Sequence, residues 1–229
     1  YYLNGIFLHD IDEGLAAVGC DGPRLCRVVI PGAAGLSQDR GLIVPHSAVK
    51  VILKLLGDKS CERIVLRRSA NLFAIEAAHF AFISKLIDGT FPDYARLIPS
   101  WADNAVTVAV ADLAPALDRI AAVVDPDAKT MRLVGLQWAP GASALHLCIP
   151  GHDDLADDAI DAEATATGAA KLAMQIRHLR QLIEKLPGAR IRFDTSGGMG
   201  PVLVTSPEDP EVQAVQMLCV WPFEKSEAA

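Results

Sequence analysis

The sequence predicts an α+β protein in which one domain pattern occurs twice. Three observations predict it. Short β-rich runs fill most of the 229 residues, three segments have helical period, and the order of these elements recurs at an offset of about 130 residues.

The strands come first. Ala105–Ala111, Ala144–Ile149, Ala189–Phe193 and Pro201–Thr205 are β-rich or alternate by two, the period of a strand with one buried face. Leu72–Leu86 fits two strands joined near Ala77–Ala78. Turn residues punctuate them at Asp12–Gly14, Pro140–Gly141, Pro187–Gly188 and Gly197–Gly200. The helices follow from a different period. His46–Leu56 places Val49, Ile52, Leu53 and Leu56 on one face, and Ala111–Val124 does so with Leu113, Leu117, Ile120 and Val124. Met174–Leu186 aligns Ile176, Leu179, Ile183 and Leu186.

The repeat is read from order and spacing. Asn4–Leu8 and Val134–Trp138 each open a strand, about 130 residues apart. The helices at His46–Leu56 and Met174–Leu186 are each followed by a Gly turn and a strand, Arg63–Leu66 and Arg190–Phe193. These features predict two copies of an α+β domain joined near Pro99–Asn104. The second copy has about 30 residues, Ala105–Lys129, before the point that matches Tyr1, so the chain is expected to begin inside a domain.

Composition narrows the function classes. No apolar run reaches the roughly 18 residues of a membrane helix, and no stretch has the layout of a signal peptide. The cysteines at 20, 26, 61, 148 and 219 are odd in number and widely spaced, as expected of reduced core thiols in a cytoplasmic protein. The net charge of −7 argues against nucleic-acid binding unless the two signs are segregated. They are concentrated along the chain: Asp153, Asp154, Asp157, Asp158, Asp161 and Glu163 fall in one stretch, while bases recur on two of the helices.

Five segments then carry a family resemblance. They are Tyr1–Gly5 (YYLNG), Cys20–Leu25 (CDGPRL), Ile43–Val49 (IVPHSAV), Lys85–Pro99 (KLIDGTFPDYARLIP) and Val220–Phe223 (VWPF). In order and spacing they resemble the bacterial DNA polymerase III beta subunit, the DNA sliding clamp. The resemblance implies repeated clamp domains, with antiparallel sheets outside and helices lining a ring of two chains. Residues 1–101 would be the second clamp domain without its N-terminal part, 102–224 the third, and 225–229 a tail. The implied partners are encircled duplex DNA, the polymerase catalytic subunit, the clamp loader and other proteins with clamp-binding peptides. No cofactor is implied.

The resemblance also assigns residues. A partner-peptide pocket would draw Leu3, Cys20, Gly22, Pro23, Arg24 and Leu25 from the start of the chain. Pro92, Arg96 and Leu97 would come from its middle, and Cys219, Trp221, Pro222 and Phe223 from its end. Small and aliphatic groups there make a dry surface, which two Arg side chains can frame. Pro23 stands where the family has His, and Trp221 and Phe223 are bulky. DNA would face Tyr1, Tyr2, Lys50, Lys54, Arg177 and Arg180, through sequence-independent phosphate contacts. Lysine and arginine are also ordinary on any solvated helix. His46–Ser47 replaces a basic pair of the family, which predicts a weaker grip. Val123 and Val124 match the apolar pair at the ring-closing contact, and the packing of a helix end on its own sheet explains them nearly as well.

Other signals carry less. Pro150–Asp154 contains His and Asp, possible metal ligands, but reads better as a solvated turn. Ser196–Gly200 lacks the Lys-Ser/Thr ending of a phosphate loop and reads as a hairpin turn. Asp10–Gly14 is too short for a calcium loop. No nucleophile–base pair has local support, so no enzymatic activity is expected. The alternative function is a clamp paralogue that acts only as a peptide-binding interaction scaffold.

Overall fold

The computed structural model describes residues 2–36, 41–57, 63–99, 104–123, 132–150, 156–197 and 200–221. The chain divides into two compact units, Tyr1–Tyr94 and Ala95–Ala229. Among the described residues, no helix is long and apolar enough to cross a membrane.

In the first unit, β1 (Gly5–Ile11), β2 (Gly14–Cys20) and β3 (Arg24–Pro31) form an antiparallel meander. Strand β4 (Leu42–Pro45) pairs with the other side of β1, giving the order β3-β2-β1-β4. It runs directly into α1 (His46–Leu56), as the period predicted. Strands β5 (Val65–Arg68), β6 (Leu72–Ala77) and β7 (Phe80–Lys85) form a separate antiparallel sheet. Alternation decides which side of it is buried: Phe73 and Ile75 turn inward at 2% and 1% exposure, while Leu72, just before them on the strand, is exposed. Those two join Leu15, Leu42, Val44 and Ala48 in one core, and Val49, Ile52 and Leu56 of α1 pack against it.

Leu53 departs from the expectation. It was placed on the apolar face of α1, but it is 66% exposed. The helix lays only about a third of its circumference on the core, and Leu53 lies beyond that arc, next to Lys50 and Lys54.

The second unit opens with a 3₁₀ turn at Ala95–Leu97. Two strand–helix–three-strand runs follow. The first is β8 (Ala105–Ala109), α2 (Val110–Val123), β9 (Leu133–Trp138), β10 (Ala144–Cys148) and β11 (Asp157–Ala164). The second is β12 (Ala170–Gln175), α3 (Ile176–Ile183), β13 (Arg190–Asp194), β14 (Val202–Ser206) and β15 (Asp209–Gln216). All neighbours are antiparallel in the order β12-β9-β10-β11-β8-β13-β14-β15. The segment β11-β10-β9-β12 repeats the order β3-β2-β1-β4 of the first unit, and in both a helix and three strands come next. The internal repeat is thus a repeat of topology.

Several boundaries differ from the sequence reading, among them the end of α3, at Ile183 and not Leu186. Met174 and Gln175 end β12, paired with Val134 and Leu133, instead of opening α3. Met174 is fully buried from a strand, so the apolar pattern runs unbroken across the strand–helix junction and does not mark it. Likewise Val110 already belongs to α2, although its N–H still donates across the β8–β13 pair to Ala189 O at 2.8 Å. The core gathers Leu113, Leu117 and Ile120 of α2, Leu179 and Ile183 of α3, and the inner faces of the strands, Phe193 among them.

Phe193 is fully buried at the centre of that core. Phe193→Ala should cost about 3–5 kcal/mol of stability, read as a lowered urea midpoint at unchanged slope. A loss under about 1 kcal/mol would show that the site collapses around the deletion.

Candidate functional site

In the hairpin Cys20–Leu25 between β2 and β3, Asp21 N donates to Arg24 O at 3.0 Å and closes a two-residue loop, Gly22 and Pro23. Gly22 takes φ +95°, the conformation a primed hairpin turn needs at its first central position, and Pro23 follows it. Asp21 locks the turn from within: its Oδ1 accepts from Arg24 N at 3.0 Å and its Oδ2 from Arg24 Nε at 2.9 Å. The Arg24 guanidinium is therefore held at the turn by its neighbour. Pro23 is exposed, Cys20 and Leu3 are half-buried, and Leu25 is buried at 3%. Leu25 is thus buried, but it is not part of the first unit's core cluster.

The segment that carries Pro92 is anchored by aromatic rings that sequence reasoning missed. Phe91 stacks on Phe7 with centroids 4.8 Å apart, and Phe7 stacks on His9 at the same distance. The Tyr94 hydroxyl lies 2.8 Å from His9 Nε2. His9 Nδ1 is 3.1 Å from the Asp10 carbonyl, so the neutral ring donates there and accepts the tyrosine proton at Nε2. Nothing in the local sequence pairs residues 85 positions apart. Pro92, Arg96 and Leu97 are exposed, Leu97 at 46%.

At the other end of the chain, Cys219 N donates to Ala173 O at 2.8 Å and forms an antiparallel bridge to edge strand β12. Burial pushes the Cys219 thiol pKa up. The indole of Trp221 then reaches Gly135 on β9. A Cβ there would lie 2.4 Å from the ring and 2.8 Å from Cys148 Sγ, so only glycine leaves the notch open. Lys171 Nζ sits 4.2 Å from the Trp221 ring centroid, a cation–π pair. Gly135, Ala173, Cys148 and Lys171 were not foreseen. The only signal was their alternation: on these strands every second residue faces away from the core.

The helices present their bases as follows. Lys50 and Lys54 are exposed on α1, and His46 and Ser47 are exposed at its start. Asn4, Pro45, His46, Ser47, Lys50 and Ile87 line an open groove of about 380 Å³ in the first unit. On α3, Arg177 is exposed, but Arg180 is ion-paired with Asp118 of α2. Val123 is 51% exposed at the end of α2, and Tyr2 is 42% exposed. Tyr1, Val124, Pro222, Phe223, the His152–Asp154 stretch and residues 225–229 lie outside the described residues. Strands β13 and β14, on either side of Ser196–Gly200, pair antiparallel, and Gly198 and Met199 lie outside the described residues.

Two outcomes test this geometry. Gly135→Ala should displace the Trp221 ring. With 5-fluorotryptophan incorporated, the resonance that Trp221→Phe removes should shift, and an unmoved resonance would contradict the contact. The second concerns His9. Burial lowers the pKa of its imidazole, Arg27 acts in the same direction, and the Asp10 carbonyl and carboxylate oppose it. The folded state then binds this proton less readily than the unfolded state. Stability should fall as pH drops below about 6.5, and His9→Gln should flatten that part of the urea-midpoint profile. An equally steep profile in the variant would assign the loss to other groups.

Comparison with known proteins shows what the chain is similar to. Residues 1–93 match the model of the DNA polymerase III beta subunit, central domain. The beta sliding clamp of Caulobacter vibrioides is 32% identical over 225 residues, covering 95% of this chain and 58% of the relative. The sliding clamp of Bartonella birtlesii, solved bound to griselimycin, superposes with a TM-score of 0.83 at 30% identity, covering 96% of this chain and 59% of that one. The Caulobacter crescentus polymerase III beta structure gives 0.81, also at 30% identity, with 96% and 58% covered. The chain thus spans a little under three-fifths of the length of the relatives it matches. With its five motifs, its repeated topology and a match that runs through both units, the chain is similar over nearly its whole length to the bacterial DNA polymerase III beta subunit.

Proposed function

We propose that this chain forms part of a DNA sliding clamp, a processivity factor that encircles duplex DNA and tethers the replicative polymerase and other partners. The observation that carries the reading is the continuous match to beta sliding clamps across both units. In it, residues 1–101 act as the second clamp domain and 102–224 as the third. The role is non-catalytic and cytoplasmic, and the ring closes as a homodimer with Val123 and Val124 at the contact.

The division of faces on the helices supports the DNA role. Lys50, Lys54 and Arg177 point to solvent while the opposite sides of α1 and α3 pack on the cores. Such bases bind phosphates without reading sequence. Tyr1 and Tyr2 would flank the same path. Arg180 contributes less, because Asp118 already offsets its charge. The peptide pocket would use Leu3, the Cys20–Leu25 hairpin, the Pro92–Leu97 segment and the Cys219–Phe223 end. Its supports are the exposed Pro23, Arg96 and Leu97 and the half-buried indole of Trp221.

A second reading has one observation in its favour. His46 and Ser47 are exposed at the start of α1 where the resemblance leads one to expect two bases. A chain lacking them would serve as a peptide-binding scaffold without encircling DNA.

Duplex-DNA binding by fluorescence anisotropy separates the two. The log-log salt slope should fall by about 0.9 for each phosphate contact removed. The triple variant Lys50→Ala, Lys54→Ala, Arg177→Ala should flatten it, and Arg180→Ala should change it less. An unchanged slope in the triple variant, or no salt-dependent binding at all, would favour the scaffold.

A further inference from the structure

The outer face of β12, β9 and β10 carries an aromatic–cation pair with a defined register. The bridge Ala173↔Cys219 is antiparallel, so Trp221 falls opposite Lys171 on the edge strand. The indole edge enters the notch over Gly135 and Cys148, and the Lys171 ammonium lies over the ring. The ring is only half-buried, and Lys171 is exposed. A cation held over a π face keeps its remaining N–H bonds directed outward, where they are available to an acceptor.

Charge on the same face is arranged asymmetrically. Cys148 pairs with Asp157 and Ala144 with Asp161, so both acids share the outer face, on strand β11. Asp157 is 3.7 Å from His146, and Lys171 has no carboxylate partner among the described residues. Strand β11 lies three strands from β12, about 14 Å at ordinary strand spacing. An approaching acidic group is repelled on the β11 side and attracted on the β12 side.

We propose that Lys171 is a specificity determinant of the Trp221 surface, selecting partner segments that place a carboxylate beside an apolar anchor. The inference rests on the peptide-docking reading given above and names the chemistry of its ligand: a short peptide with large apolar residues and an adjacent Asp or Glu. Its apolar anchor contacts the indole, and its carboxylate takes the outward N–H bonds of the ammonium. The same pairing fixes the direction of the peptide, because reversal would bring its acid toward Asp157 and Asp161.

The test uses two fluorescein-labelled peptides, each with a glutamine and three large apolar residues, differing only by Glu or Gln beside the anchors. Anisotropy titrations compare the unaltered chain with Lys171→Gln and Lys171→Glu. Lys171 is exposed, and near-UV circular dichroism of each variant checks the fold. The unaltered chain should prefer the Glu peptide by about two- to five-fold, the range of a solvent-exposed ion pair. The preference should shrink with added salt, vanish in Lys171→Gln and reverse in Lys171→Glu. Equal binding of the two peptides by the unaltered chain, or an unaltered preference in Lys171→Gln, would overturn the assignment. Binding of neither peptide by any form would remove the docking reading itself, and this inference with it.

Discussion

Each helix in this protein buries one face only, and the rest of the structure depends on that constraint. Helices α1 and α3 start without a loop, directly from the last residue of β4 and β12. A junction that tight fixes the rotation of the helix about its axis relative to the sheet. Val49, Ile52 and Leu56 must then face one core, and Leu179 and Ile183 the other. Hydrophobic burial sets which side is inward. What remains outward is free to carry charge, and the exposed bases Lys50, Lys54 and Arg177 occupy it.

The sheets obey the complementary rule. On β9, Val134, Leu136 and Trp138 fill the core, so Gly135 and Gln137 face outward. A bare glycine on an outer face is normally a weakness in a strand. Here it makes room for the Trp221 ring, which covers the floor of the notch and in turn is covered by Lys171. Cys219 is held to edge strand β12 by a main-chain hydrogen bond, which occupies the Ala173 carbonyl on the strand's open edge. The same contacts thus blunt an edge and build a surface with an aromatic face and a positive charge.

Segregation of charge explains how an acidic chain can offer cationic surfaces. Strand β11 turns Asp157, Asp161 and Glu163 outward by simple alternation, with Ile160 inward between them. Asp158 and Asp118 answer Arg119 and Arg180 in local ion pairs. Exposed pairs of this kind contribute little to stability, but each removes one base from the set that could meet an anion. The net charge of −7 is therefore no guide to any one face.

The sequence by itself determined the fold class, the repeat and the family resemblance, because these rest on periodicity, turn residues and motif order along the chain. It placed α1 to the residue, from the helical spacing of Val49, Ile52 and Leu56 and the Gly turn that follows. It misplaced the start of α3, because Met174 and Ile176 are both apolar and both buried, one from a strand and one from a helix. It set Leu53 inward, because a list of apolar residues at helical spacing does not say how wide the buried arc is. Tertiary structure alone decided the contacts that join distant positions. Tyr94 meets His9, Trp221 rests on Gly135 under Lys171, and Asp118 claims Arg180. The reason is physical: a period is a property of neighbouring residues, whereas a contact between strands or helices is fixed by register and packing, which no local pattern encodes.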